Sequence, residues 1–106
     1  MMLDKLISAL TATGYEFRHH GWSKAPSGTY GVYAEELGLD FVANGRHAER
    51  GTRVAIDLFT RDDTTTPRET VEAELNALEY PWRLDSVQYE QETGLIHYLW
   101  VVGVYG

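Results

Sequence analysis

The amino-acid sequence predicts an α+β fold, in which a mostly antiparallel sheet of four to five strands has two helices packed on one face, in the order α-β-β-β-α-β-β. Apolar residues recur at helical spacing in two segments, residues 3–10 and 71–78. Residues 52–60 alternate between apolar and other side chains, as in a strand with one buried face. Residues 95–104 are apolar on both faces, which is typical of a central strand covered twice.

The first half of the chain begins with a predicted helix. It should end near Gly14, because glycine accommodates the left-handed conformation that terminates many helices. A short strand is expected at residues 16–19 and another at 29–35, separated by an irregular loop rich in glycine and proline. The buried stripe of the helix consists of Leu3, Leu6, Ile7 and Leu10.

A hairpin and a second helix follow. Residues 41–43 read as a short strand that enters a tight Asn-Gly turn, since these residue types supply the positive φ angles of two-residue turns. The second helix is expected to begin at Pro67, with Thr66 as its N-cap and Glu69 completing a capping box, and to end at Pro81. Its buried stripe is Val71, Leu75 and Leu78. Two strands, at residues 83–90 and 95–104, complete the predicted sheet.

Length and composition limit the classes of function. A chain of 106 residues predicts a single domain that spans residues 1–106. Nine Lys and Arg against sixteen Asp and Glu give a net charge of −7, which disfavours a surface that grips nucleic acid through its phosphates. The absence of cysteine excludes disulfides, thiolate metal sites and thiol nucleophiles. No apolar run is long enough to span a bilayer, so we expect no membrane partner.

The stretch at residues 18–33 is the strongest candidate for a reactive site, because it places His19, His20 and Trp22 beside three glycines. Side chains of adjacent residues leave opposite faces of an extended chain, so the two histidines are poorly placed to share a metal ion without an unusual bend. The carboxylate pair Glu35 and Glu36 sits beside a turn-like segment, where solvation is the simpler explanation. We therefore expect no catalytic, cofactor-binding or metal-ligating residues.

The alternative role for the irregular segments of the chain is contact with a partner protein. A tryptophan in a loop rich in glycine and proline is often an interface anchor, and the loop at residues 18–28 and the hairpin at residues 41–50 are the long excursions from the predicted core. The candidate subunit or partner contacts are Trp22, Phe41, Asn44, Arg46 and His47.

The chain as a whole, from Leu3 to about Val102, resembles the tail-terminator or tail-completion proteins in the neck of long-tailed bacteriophages and prophages. The resemblance lies in the order of elements and in several local strings, none of which is a catalytic signature. The sequence departs from the pattern of that group at Ala43-Asn44-Gly45 and after Val101. The strings are LDKLISALTATGYEF, PSGTYGVY, GLDFVANGR, VAIDLFTRDD, ETVEAELNAL and TGLIHYLWVV.

The resemblance implies a non-enzymatic virion protein, assembled in the cytoplasm of the bacterial host. Such a subunit forms a ring, usually a hexamer, that caps the tail tube and meets the head-completion or connector protein. DNA passes through the ring without specific binding, and an acidic lumen would keep phosphates from adhering. Two other functions stay open at this point: an α+β module that binds a small apolar ligand, and a small hydrolase that uses one of the histidines with a carboxylate.

Overall fold

The protein has the predicted α+β fold with one five-stranded sheet and two helices. The structure is a computed structural model that describes residues 3–36 and 51–105. The strand and turn expected at residues 41–45 lie outside this range. The elements are α1 (Asp4–Ala12), β1 (Glu16–His19), β2 (Tyr30–Glu36), β3 (Thr52–Thr60), α2 (Thr66–Ala77), β4 (Trp82–Glu90) and β5 (Leu95–Val104).

The strand order across the sheet is β1-β2-β3-β5-β4. Three of the four strand pairs are antiparallel, and β1 pairs with β2 in parallel. β3 and β5 therefore form the centre of the sheet, while β1 and β4 are its edges. The expectation of a central final strand is confirmed, because β5 is hydrogen-bonded along both sides.

Both helices contribute to the core on one side of the sheet. The alternation in β3 places Val54, Ile56 and Leu58 on that side, and all three are buried. Their partners in β5 are Val102, Trp100 and Tyr98, which continue the same face. The helices add their own stripes to this cluster, namely Leu6 and Leu10 from α1 and Val71 and Leu75 from α2.

Trp100 joins the sheet to α2 by a hydrogen bond as well as by packing. Its side chain is fully buried, and the indole Nε1–H donates to Glu72 Oε2 at 2.9 Å. Arg68, one helical turn before Glu72, donates to the same carboxylate oxygen at 3.1 Å. The indole N–H is therefore satisfied inside the core, which fixes α2 over the middle of the sheet.

The start of α2 differs from the sequence prediction. The N-cap is Thr65 rather than Thr66, and the Thr65 side chain makes no capping hydrogen bond; the Thr66 N–H donates to Thr64 Oγ1 at 3.3 Å. Thr65 has helical backbone angles, so its hydroxyl does not occupy the position from which an N-cap accepts a hydrogen bond. Instead the Glu69 N–H donates to the Thr65 carbonyl at 2.9 Å. The prediction of a capping box was therefore wrong, while the predicted burial of Val71 and Leu75 is confirmed.

Gly31 allows an aromatic ring to lie across the sheet. It is paired with Phe17 of β1 and with Leu58 of β3. A Cβ at Gly31 would collide with the Phe17 ring and would come within 2.9 Å of the Asp57 carbonyl oxygen. The missing side chain is therefore what lets Phe17 pack against the sheet.

Replacing Gly31 with alanine is expected to destabilise the protein by about 1–3 kcal/mol, because the added methyl group overpacks a buried position. Gly28→Ala is the matched control, since a Cβ at Gly28 meets nothing within 4 Å. Urea unfolding followed by circular dichroism measures both variants. An equal loss in the two would show that the effect comes from glycine in general and not from the Phe17 contact.

Glu72→Leu is expected to lower the free energy of unfolding by about 1–3 kcal/mol, because it leaves the buried Trp100 N–H without an acceptor. Glu72→Gln keeps an acceptor oxygen and should lose clearly less. Thermal unfolding of both variants against the unmodified chain decides the point. If the two substitutions cost the same, the hydrogen bond contributes nothing beyond the charge.

Candidate functional site

The two neighbouring histidines lie where β1 ends and the chain turns sharply. His20 has a φ of 70° and Gly21 a φ of 141°. His20 is the one non-glycine residue with a positive φ in the described part of the chain. Its N–H donates to the Tyr33 carbonyl at 2.9 Å, which holds the turn against β2. A left-handed backbone is unfavourable for most residues, so the surrounding structure maintains this bend.

This bend brings both imidazole rings to the same side. The ring centroids of His19 and His20 are 3.8 Å apart with an interplanar angle of 22°, and the Tyr33 ring also stacks on His19, with 4.8 Å between the centroids. The sequence predicted that the two side chains lie on opposite faces, as in an extended chain. That expectation does not hold, because His20 is not extended.

Glu35 joins the histidines through the parallel pairing of β1 and β2. His19 is opposite Tyr33, so Glu35 lies two residues further along the same face. His19 Nε2 and Glu35 Oε1 are 2.5 Å apart, and both side chains are about two-fifths exposed (40% and 37%). The hydrogen bond from His19 lowers the pKa of the Glu35 carboxyl, so this group is ionised at neutral pH. His19, His20 and Glu35 are called the His-His-Glu cluster below.

Trp22 is half-buried and is held by its own domain. Its indole Nε1–H donates to the Gly31 carbonyl at 2.9 Å, and the Arg18 guanidinium lies 4.7 Å from the ring centroid. The ring also meets the edge of Tyr30. Trp22 is therefore a partly exposed residue with a fixed orientation, which is compatible with the contact role predicted for it.

A groove of about 260 Å³ lies between α1 and β1, beside Trp22. Its floor is mostly apolar and aromatic, while Arg18 and Glu16 supply charge at its border. The lining includes Ile7, Leu10, Tyr15, Phe17, Trp22 and Tyr33.

The other four candidate contacts, Phe41, Asn44, Arg46 and His47, lie outside the described residues. Their role stays a prediction from the sequence.

The sheet face that points away from the helices is also a candidate functional surface. The strand register places one apolar and aromatic group on β2, β3 and β5, and each member is half-buried. In residues 3–36 and 51–105, neither helix packs on this face. The group, called the outer-face patch below, comprises Tyr30, Val32, Ala55, Phe59 and Leu99.

A stack of rings and one ion pair order the middle of that face. Tyr30 stacks on Phe59 at 5.0 Å, and Phe59 stacks on His97 at 4.3 Å. His97 Nε2 lies 2.7 Å from Asp57 Oδ1. The imidazole is thus held by a carboxylate on one side and an aromatic ring on the other, which gives the surface a fixed shape.

No family model matches this chain, and no curated protein or solved structure shows significant similarity to it. Neither helix in the described residues has the length and apolarity needed to cross a membrane.

The His-His-Glu cluster was missed by the sequence analysis. Residues 19 and 35 are sixteen positions apart, and only the parallel pairing of β1 with β2 brings them together. The single local signal was Gly21 after two histidines, which marks a turn but not its hand.

Substitutions at His20 test whether its left-handed backbone is imposed by the fold. His20→Val is expected to lower the free energy of unfolding by about 1–2 kcal/mol, because a β-branched residue is strongly disfavoured there. His20→Gly should stay close to the unmodified chain, since glycine adopts this conformation without steric cost. Urea denaturation compares the two. Equal losses would mean that the imidazole contacts matter and that the backbone conformation does not.

Proposed function

We propose that this chain is a non-enzymatic structural protein of the bacteriophage head–tail junction, a tail-terminator or tail-completion subunit that forms a ring on the tail tube. The support from the sequence is the ordered set of strings that resembles this group. The support from the structure is the outer-face patch, which is the observation that carries the proposal. Virion assembly in the host cytoplasm is part of the same proposal.

The outer-face patch suits burial against another protein. It lies at the centre of the sheet, where β2, β3 and β5 are held on both sides by neighbouring strands, so its shape is fixed before binding. Aromatic residues such as Tyr30 and Phe59 supply large contact area at low entropic cost. The apolar and aromatic members resemble the core of a protein interface, and the one carboxylate among them, Asp57, is paired with His97.

A closed ring of more than two subunits needs two different surfaces on each subunit, because its contacts are heterologous. The edge strand β4 offers the second surface. Val87 and Tyr89 on this strand are 50% and 64% exposed, and they are large hydrophobic residues. An open edge with exposed apolar side chains is a ready site for pairing with another chain. In this proposal the outer-face patch of one subunit meets the β4 edge region of the next.

The remaining partners follow from the same proposal. The ring would contact the tail tube protein on one side and the head-completion protein on the other, with Trp22 and the hairpin residues as candidate contacts. The net charge of −7 supports a ring through which DNA passes without adhering.

A small-ligand-binding module is the second candidate, and the mostly apolar lining of the groove beside Trp22 is the observation in its favour. Pockets that enclose drug-sized ligands usually measure about 300–1,000 Å³, so a groove of about 260 Å³ is small for this role. The depression between α1 and α2 is larger, about 430 Å³, but it is shallow and bordered by Asp4, Lys5 and Glu74. Native mass spectrometry of the purified chain separates the two functions, because a copurifying ligand would favour the module.

Leu99→Asp is expected to abolish ring formation, because it places a second carboxylate directly opposite Asp57 and removes a central apolar contact. Such a change costs about 2 kcal/mol or more at each interface. Ala73→Asp, on the exposed side of α2, introduces the same charge and serves as the matched control. Light scattering at several protein concentrations, with negative-stain images, measures the assembly state.

The expected result is a ring for the unmodified chain and for Ala73→Asp, and a folded monomer for Leu99→Asp. A monomer for the unmodified chain at every concentration, or rings that persist in Leu99→Asp, would contradict the role assigned to the patch. Circular dichroism establishes that each variant is folded.

A further inference from the structure

We propose that the His-His-Glu cluster is a binding site for a divalent transition-metal ion, with Zn²⁺ as the ion of choice. The possible donor atoms of His19, His20 and Glu35 all lie within 4.8 Å of one another. The site is separate from the outer-face patch and from the β4 edge, so it goes beyond the structural role proposed above.

The geometry of the cluster is close to that of a metal site. Zn²⁺ binds imidazole nitrogen and carboxylate oxygen at about 2.0–2.2 Å, which places tetrahedral ligands about 3.4 Å apart. His19 Nε2 and Glu35 Oε1, now 2.5 Å apart, would separate by about 1 Å, and the His20 donor would move inward by a comparable amount. All three side chains are exposed, so rotation about their side-chain bonds achieves this without moving the backbone.

The backbone already supplies the arrangement that is hardest to obtain. Adjacent residues of a strand point to opposite faces, and the left-handed His20 is what turns the second imidazole toward the first. The hydrogen bond from its N–H to the Tyr33 carbonyl holds this turn in place. Tyr33 also stacks on His19 and limits the orientation of that ring. The fold therefore brings the two imidazoles together before an ion arrives, but their rings are stacked at an interplanar angle of 22° and must rotate until both ring planes meet at the ion.

The chemistry of the donor set selects the class of ion. Two imidazoles and one carboxylate suit Zn²⁺, Cu²⁺ and Ni²⁺, whereas Mg²⁺ and Ca²⁺ prefer all-oxygen sites. Metal ligands must be deprotonated, so binding would replace the hydrogen bond between His19 Nε2 and Glu35 Oε1 with two bonds to the ion. Three protein ligands would leave at least one coordination position open to water or to a ligand from outside.

A second histidine and carboxylate pair in the same structure provides a comparison. His97 and Asp57 are 2.7 Å apart, but within the described residues no third donor joins them. Two donors bind a metal ion much less tightly than three, so His97 is the natural control position for a test at the cluster.

The test is isothermal titration calorimetry of the untagged chain with ZnCl₂. The visible absorption of bound Co²⁺, which stands in for Zn²⁺, is recorded as well. The unmodified chain should bind a single ion at the cluster and show the Co²⁺ bands of a nitrogen and oxygen site. Glu35→Gln and His20→Gly should each weaken binding at least about tenfold, the loss expected even for residues that only support a ligand. His97→Gln should bind Zn²⁺ as the unmodified chain does.

Three results would overturn the proposal: no Zn²⁺ binding by the unmodified chain, unchanged binding in both cluster variants, or an equal loss in His97→Gln. Circular dichroism shows whether each variant is folded, and His20→Gly keeps the left-handed turn, so loss of the fold does not confuse the result. Zn²⁺ binding and ring formation are read out by different measurements, so a failure of one proposal is distinguishable from a failure of the other.

Discussion

The indole of Trp100 is the point at which the sheet and α2 are joined, and the rest of the fold is arranged around it. The side chain is fully buried on the central strand β5. It belongs to the hydrophobic core, to which both halves of the chain contribute residues. Its buried N–H needs an acceptor, and Glu72, which is itself partly exposed, provides one at 2.9 Å. Glu72 lies at the border between the buried and the exposed sides of α2, so its carboxylate accepts hydrogen bonds from both Trp100 and Arg68. A residue that is hydrophobic everywhere except for one donor thus fixes both the depth and the rotation of α2.

Placing both helices on the side of Trp100 determines what the other side of the sheet can be. The opposite face keeps the aromatic stack of Tyr30, Phe59 and His97, with Asp57 holding the imidazole. On a solvated sheet face most side chains are charged or small and polar, whereas this face carries such residues at only some of its positions. The proposed ring contact and the proposed metal site therefore belong to different parts of the molecule, one at the centre of the sheet and one at its β1 edge.

The sequence was sufficient for the parts of the fold that have local causes. The alternation of Val54, Ile56 and Leu58 is enough to predict β3 and its buried face, and the two-sided apolar pattern of residues 95–104 is enough to place β5 at the centre. The hydroxyls around Thr66 misled the prediction of the helix start, because several threonines in a row leave the identity of the cap open.

The candidate site was harder to predict than the fold. The parallel pairing of β1 with β2 follows from the path of residues 20–29, which carries no periodic pattern, and this pairing is what joins His19 to Glu35. The left-handed conformation of His20 has only a weak signal in residue type, since histidine adopts it more often than most residues but far less often than glycine. Trp22 was identified as a contact residue from its surroundings alone, but its hydrogen bond to Gly31 could not be foreseen.

The position of β1 at the border of the sheet has a consequence for how the molecule opens. This strand has four residues, pairs with a single neighbour and is mostly exposed, so it belongs to the part of the fold that detaches first in native-state fluctuations. His19 and His20 stand at its end and Glu35 stands on the strand beside it. An ion shared by these residues would act as a cross-link between the two strands, closing the intervening loop and slowing amide exchange at the edge of the sheet while leaving the centre unchanged.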